Sequence, residues 1–217
     1  FGRSAGCGIT SGTTNVAIGL RAHGSNVGGD HNVAIGTDSL KGSASSTGTN
    51  NVGLGKCTLC SITTGTENLA IGSQTLQCNQ SGARNVAIGS VSGFRITGSD
   101  NLVFGRASGC GITSGNCNVS IGNYAMRTTT NNSTGSSNTA IGTFAMMKTI
   151  TGACNVAIGF CALQNNNSGS KNVAVGPCAL GQGSTAITGA CNIAIGEATA
   201  WKNTSGSNNI AMGFVAL

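Results

Sequence analysis

The stretch TGACNVAIGFCALQNNNSGSKNVAVGPCAL, residues 151–180, contains nearly the same ten residues twice. CNVAIGFCAL begins at Cys154, and KNVAVGPCAL begins 17 residues later at Lys171. The centre of this unit, Asn-x-Ala-Ile-Gly with close variants, occurs twelve times between Asn15 and Asn209, at spacings of 16 to 20 residues. A fixed period of this length indicates a protein in which one structural unit is stacked many times.

Three positions of the unit hardly vary. Every copy has Asn at the anchor position, Gly four residues after it and Gly three residues before it, and Ser or Thr precedes that earlier Gly in every copy except at Gly28. The anchor residues are Asn15, Asn32, Asn51, Asn68, Asn85, Asn101, Asn118, Asn138, Asn155, Asn172, Asn192 and Asn209. The later glycines are Gly19, Gly36, Gly55, Gly72, Gly89, Gly105, Gly122, Gly142, Gly159, Gly176, Gly196 and Gly213.

The apolar residues of each unit alternate over a short span. Val156 and Ile158 point to one side of a strand and Ala157 points to the other, whereas no helical period appears between the motifs. The sequence therefore predicts an all-β fold: a parallel β-solenoid, or β-roll, of about 12 coils of about 17 residues, forming a single domain over residues 1–217. We expect the Val and Ile columns to form the core, and the small Ala column to leave a flat apolar strip exposed to a partner.

The invariant residues have structural roles in such a stack. Glycine suits corners that need positive φ or a close approach of two backbones. The anchor asparagines suit a ladder in which each side-chain amide bonds the one in the next coil, or else bond the backbone at the corner. Length varies only in one phase of the repeat, as in residues 127–133 and 181–187, which predicts one loop edge along the rod.

Composition excludes several classes of function. Charged residues make up only 7% of the chain, and the net charge of +6 is spread as isolated residues, which argues against a nucleic-acid interface. No stretch approaches the length of a membrane span. The two histidines and five acidic residues are scattered over distant coils, so we expect no catalysis, no metal site and no cofactor.

Ten cysteines are unusual for such a chain, and they share few columns of the repeat. Column sharing places Cys161 over Cys178, and Cys60 near Cys78, so these two pairs are candidate disulfides. The alternative is that each cysteine packs as a small buried apolar residue. CTLC at 57–60 has the spacing of a redox or zinc half-site, but no second such pair follows it.

The motif Asn-Val-Ala-Ile-Gly after Thr-Gly resembles the head repeats of trimeric autotransporter adhesins. STGSSNTAIGTFAM at 133–146 and SGSNNIAMGFVAL at 205–217 resemble even more closely the repeats of phage and large-virus fibre proteins. The resemblance covers the whole chain and implies a left-handed roll in which three chains pack together. The coil here is longer than the adhesin coil and lacks its Ser before Val. Since neither end looks like a capping repeat, we expect a segment of a longer repetitive chain, the alternative being a complete protein with frayed ends.

Three functions are compatible with these features. The first is a structural shaft of an extracellular or virion-surface fibre, which self-associates as a homotrimer or a filament. The second is an adhesin-type module whose rod surface binds a host receptor or glycan. The third is ice binding by the Ser/Thr column. The loop edge is rich in Thr, Asn, Ser and Gly rather than in aromatic residues, which favours the shaft.

Overall fold

The computed structural model describes residues 1–25, 27–128, 132–181 and 186–216. Its strands form a single sheet of twelve members that pair in the order of the chain. Each strand is the three-residue segment that follows an anchor asparagine. The strands are β1 Val16–Ile18, β2 Val33–Ile35, β3 Val52–Leu54, β4 Leu69–Ile71, β5 Val86–Ile88, β6 Leu102–Phe104, β7 Val119–Ile121, β8 Thr139–Ile141, β9 Val156–Ile158, β10 Val173–Val175, β11 Ile193–Ile195 and β12 Ile210–Met212.

Neighbouring strands are parallel and in register, so that each column of the repeat is continuous along the rod. Val156 pairs with Val173, and Ala157 pairs with Ala174. The amide of Val156 donates to the carbonyl of Asn172 at 2.8 Å, and the equivalent bond recurs in coil after coil. The predicted all-β parallel solenoid with a spacing of about 17 residues is confirmed.

The interior of the rod differs from the prediction in one important respect. The middle residue of each strand faces inward, and Ala157 and Ala174 are fully buried, whereas Ile158 is 39% exposed. The expectation that the Val and Ile columns form the core is therefore wrong, and so is the expectation that the Ala column faces outward. The predicted alternation along the strand is present, but the inward and outward sides are the reverse of those predicted.

The larger interior side chains explain why. They come from the far side of each coil, eight residues after the anchor, and include Leu40, Leu59, Leu76, Met126 and Leu163. Opposite them little room is left: a Cβ added at Gly53, which takes the alanine place in β3, would collide with the Leu40 side chain. A coil of about 17 residues encloses so little space that Leu on one side requires Ala on the other.

The two glycine columns serve different purposes. Gly89, just after β5, has a φ of +130°, a backbone conformation that strains any other residue. Gly65 has an ordinary φ, but a Cβ there would lie 2.7 Å from the carbonyl oxygen of Gly82 in the next coil. The predicted roles of glycine, positive φ or close approach, are thus divided between the later and the earlier column.

Non-glycine residues also occupy left-handed backbone conformations, which the sequence did not indicate. They fall into three columns: the residue before the anchor, and the residues six and eight positions after it. Examples are Lys171 at φ +58°, Val91 at +61° and Leu40 at +44°. Each coil turns its corners with these residues, whose strain is offset by the continuous backbone ladder.

The predicted loop edge is described in part. Residues 129–131 and 182–185, the centres of the two longer insertions, lie outside the described residues, as does Leu217. The ends of both insertions rejoin the stack at isolated parallel bridges, Ile112 with Ser133 and Asn166 with Ile187. Length variation therefore occurs between fixed points of the coil.

Candidate interaction face

The outward sides of the twelve strands form one continuous apolar surface, which we call the strand face. It consists of the first and third residue of every strand, and it is apolar at every position except Thr139. Val16 is 44% exposed and Ile195 is 37% exposed, and the values rise to 69% for Ile210 in the last coil. These residues reach solvent because the Ala column between them faces inward.

The strand face is large for a soluble monomer. Twelve coils at about 4.8 Å give a length of about 60 Å, and two alternate side chains give a width of about 10 Å. The result is on the order of 600 Å², at the upper end of the largest apolar patch of a typical monomer. Surfaces of this size and uniformity are typical of sites that contact another macromolecule.

The anchor asparagines lie beneath the strand face as a buried ladder. The side-chain oxygen of Asn51 accepts from both the backbone amide and the side-chain amide of Asn68, each at 3.0 Å. The side-chain amide of Asn51 also donates to the carbonyl of Gly65 at 2.9 Å. The two roles considered for Asn, the amide ladder and the corner bond, are therefore filled by the same side chain.

Neither candidate disulfide is formed, since all ten cysteines are free. Cys161 and Cys178 do occupy one column of adjacent coils, but stacked side chains run parallel about 4.8 Å apart, whereas a disulfide needs Cβ atoms about 3.8 Å apart. Burial, together with the neighbouring Cys178 thiol, raises the pKa of Cys161. Burial and the nearby Cys57 raise the pKa of Cys60 to about 11. A raised pKa keeps both thiols in the protonated form, which is the less nucleophilic one, at neutral pH.

The acidic residues and histidines do not converge on one place. Asp38 pairs with Arg21 at 2.8 Å and Asp100 pairs with Arg84 at 2.6 Å, each bridge joining one column of adjacent coils. In the described ranges, no group of three or more His, Cys, Asp or Glu could hold a metal ion. The described residues also include no helix that is long and apolar enough to cross a membrane.

His23 is the most unusual polar group of the interior. It occupies the column that holds Leu40 and Leu59 in the next two coils, and it is fully buried with neither ring nitrogen hydrogen-bonded. Burial lowers the pKa of His23 below its usual value of 6.5. The imidazole ring is therefore uncharged at neutral pH, and it packs in the core as the leucines of this column do.

A second surface feature lies just beyond the strand face in the coils that follow β6 to β9. Phe144 contacts both Tyr124 and Phe160 there, and Arg106 and Arg127 lie against Tyr124. Sequence reasoning missed this cluster because its members belong to different coils. Aligning the repeats in columns shows Tyr124 and Phe144 in adjacent coils at the same position, which was the available signal.

No family model matches the chain, and neither a curated protein nor a solved structure does.

Proposed function

We propose that this chain is a shaft segment of an extracellular or virion-surface fibre, in which copies of the rod pack together through the strand face. The observation that carries the proposal is the outward orientation of both Val/Ile columns along the whole rod. A monomer that left about 600 Å² of continuous Val and Ile in water would be prone to association.

The occupant of the strand face that we propose is this chain itself. A rod with one straight apolar strip is covered along its full length by another straight rod, whereas a globular partner would cover a few coils only. The in-register stack gives every copy the same spacing of about 4.8 Å, so rungs can align between chains. Three chains around one axis would bury all three strips against each other, in line with the resemblance to trimeric fibre repeats.

A mechanical role fits the rest of the molecule. The described acidic residues and histidines are dispersed, and each coil repeats the contacts of the one before it. Stability in such a stack comes from neighbours, so that adding coils adds length without changing the cross-section. A shaft needs this property, because its task is to hold another part of the fibre at a distance.

The test is the molar mass in solution of the chain and of two charge-matched variants. The double variant Ile71→Lys with Ile88→Lys puts two charges into the strand face in adjacent coils. The control, Ser73→Lys with Ser90→Lys, adds the same charge at exposed positions of the same coils. Light scattering coupled to gel filtration gives the mass, and far-UV circular dichroism checks the fold.

We expect the wild type and the control at about three times 21.2 kDa and the strand-face variant at 21.2 kDa with an unchanged dichroism spectrum. A wild-type chain that stays monomeric at high concentration contradicts the proposal. So does a strand-face variant that retains the wild-type mass.

A further inference from the structure

The basic aromatic cluster comprises Arg106, Tyr124, Arg127, Phe144 and Phe160. Tyr124 and Phe144 occupy the same column in adjacent coils and stack in parallel, with ring centroids 5.5 Å apart and planes inclined by 7°. Phe160 meets Phe144 edge-on at 6.1 Å. The three rings thus form a ladder along the rod, outside the repeated motif and specific to these coils.

Two guanidinium groups lie against the same tyrosine ring. The guanidinium carbon of Arg106 is 5.2 Å from the Tyr124 centroid and that of Arg127 is 5.0 Å from it. Arg106 also donates a hydrogen bond to the Tyr124 hydroxyl. Because both groups share one centroid, their central carbons lie no more than about 10 Å apart, and the ring holds both by cation–π attraction.

Among the described residues, no acidic side chain forms a salt bridge with Arg106 or Arg127. Arg127 and Arg95 both lie near the Cys110 thiol, whose pKa is nevertheless raised by burial. The two salt bridges among the described residues involve Arg21 and Arg84, in other columns. Two neighbouring guanidiniums repel each other, and a bound anion would relieve that repulsion.

We propose that the basic aromatic cluster binds an acidic glycan, a chain of sugars that carries carboxylate or sulfate groups. The planar fork of each arginine matches a carboxylate or sulfate with paired hydrogen bonds. Phe160 is 52% exposed and offers an apolar surface beside the two cations. A sugar ring has C–H groups on its faces and polar groups on its edges, so it can pack on Phe160 while its acid reaches Arg106 or Arg127.

A single-stranded nucleic acid fits this surface less well. Such ligands stack several bases on several open aromatic faces. Here Phe144 stacks on one side of Tyr124 and the arginines also lie over its ring, so Phe160 is the ring of the cluster with the most open surface. Nucleic-acid affinity also depends on many phosphate contacts, whereas this cluster has two arginines.

Binding is measured with the full chain by isothermal titration against four probes: heparin, hyaluronan, neutral dextran and a single-stranded oligonucleotide. Heparin carries sulfate and carboxylate, and hyaluronan carries carboxylate alone, so the two together identify the anion. Arg106→Gln with Arg127→Gln removes both charges of the cluster. Arg3→Gln with Lys171→Gln removes the same net charge at exposed positions elsewhere.

We expect the wild type to bind at least one acidic glycan, and the cluster variant to bind it about tenfold more weakly or worse, as loss of two charge-assisted contacts implies. The control variant should stay within about threefold of the wild type. Equal losses in both variants would mean that net charge alone governs binding, and would overturn the proposal. Absence of binding to both acidic glycans, or binding of dextran or the oligonucleotide at least as tight, would also overturn it.

The tyrosine ring gives a second test. Tyr124→Phe keeps the platform under both guanidiniums and should keep the affinity within about threefold, whereas Tyr124→Ala should lose about as much as the double arginine variant. Equal affinities of the two variants would contradict a positioning role of the ring.

The same samples are analysed by light scattering. The cluster variants should keep the wild-type mass, so a loss of glycan binding with the mass unchanged is independent of whether the shaft proposal holds. A monomeric wild type that still binds acidic glycans through the cluster would contradict the proposed shaft function and would still support the glycan-binding proposal.

Discussion

The two sides of each strand meet different physical demands. In β5, Ala87 is fully buried against the far wall of the coil, while Val86 and Ile88 are half-buried and reach the surface. The inner side of the strands carries Ala, Gly, Ser or Val because the coil is narrow, and the outer side carries large apolar groups that none of the described residues covers completely. Size thus follows the space available on each side rather than the hydrophobicity of the residue.

The difference shows why a stack of short units can be at once stable and associative. The inner side, with its Ala column, Leu column and Asn ladder, holds the coils of one chain together. The outer side is the surface through which we propose that copies of the chain contact one another. A substitution on the inner side should therefore change the free energy of unfolding, and one on the outer side should change the state of association.

The largest effect is expected from enlarging the inner side. Ala157→Leu adds three carbon atoms at a fully buried position of a coil whose interior already holds Leu163, and it should lower the free energy of unfolding by about 3 kcal/mol or prevent folding. Urea unfolding followed by circular dichroism measures it. The control Val156→Ala, on the outer side of the same strand, should cost less than about 1 kcal/mol in the dissociated chain. Equal losses in the two variants would reverse our assignment of the two sides.

A somewhat smaller effect is expected from interrupting the Asn ladder. Asn85→Ala removes the acceptor of the Asn101 backbone amide at 3.0 Å and the donor to the Gly98 carbonyl at 2.9 Å. Leaving these buried groups unpaired should cost about 2–3 kcal/mol. Asn203→Ala, which loses a single exposed bond of 3.3 Å to Gly206, is the matched control and should be nearly neutral. A ladder without energetic importance would give both variants the same urea midpoint.

The third prediction concerns pH. Burial lowers the pKa of His23 in the folded chain below 6.5, so the unfolded chain binds a proton first as the pH falls. The free energy of unfolding is therefore highest above the pKa that His23 has in the unfolded chain. It declines as the pH falls from that value through the lower pKa of His23 in the folded chain. His23→Leu introduces the residue that the next two coils have at this position. It should make the urea midpoint nearly independent of pH between pH 7.5 and about 5. His31→Leu, at an exposed position, should leave the wild-type slope, and a slope that survives in His23→Leu would show that another group titrates.

The smallest effect is expected at the corner between the two sides. Val91 is a β-branched residue at φ +61°. Val91→Gly should relieve this strain and raise the free energy of unfolding by up to about 1 kcal/mol after the entropy of the unfolded chain is counted. Ser90→Gly, at the preceding residue with ordinary φ, should lower it by about 0.5–1 kcal/mol. Destabilisation by both glycines would mean that the corner conformation is not strained.

Much of the fold could be predicted because the repeat is explicit. Asn155 and Asn172 fixed the coil length, and Val-Ala-Ile fixed the strand and its parallel register. The orientation of the strand could not be obtained from alternation alone, since both sides are apolar. The missing information was the position of Leu163 opposite Ala157, a packing relation across the coil that depends on how the corners fold.

The repeat pattern does not predict the backbone conformation of the corners or the clusters of side chains on the surface. Left-handed conformations at Lys171 and Val91 have no residue preference that would reveal them. The basic aromatic cluster depends on side chains from four coils, and a motif that repeats says nothing about residues that vary. The disulfide prediction relied on column sharing, which gives proximity but not the convergence of two Cβ atoms.

The most direct test of the central claim, that Ile and Val of the strand face meet their counterparts in other copies, is an isotope-filtered nuclear Overhauser experiment. Copies with ¹³C-labelled Ile and Val methyl groups are mixed with unlabelled copies, and only contacts between chains are recorded. We expect intermolecular signals for strand-face methyls such as Ile88, Ile121 and Ile158, and none for the buried Ile96 and Ile112. Signals from the buried isoleucines, or their absence from the strand face in an associated sample, would contradict it.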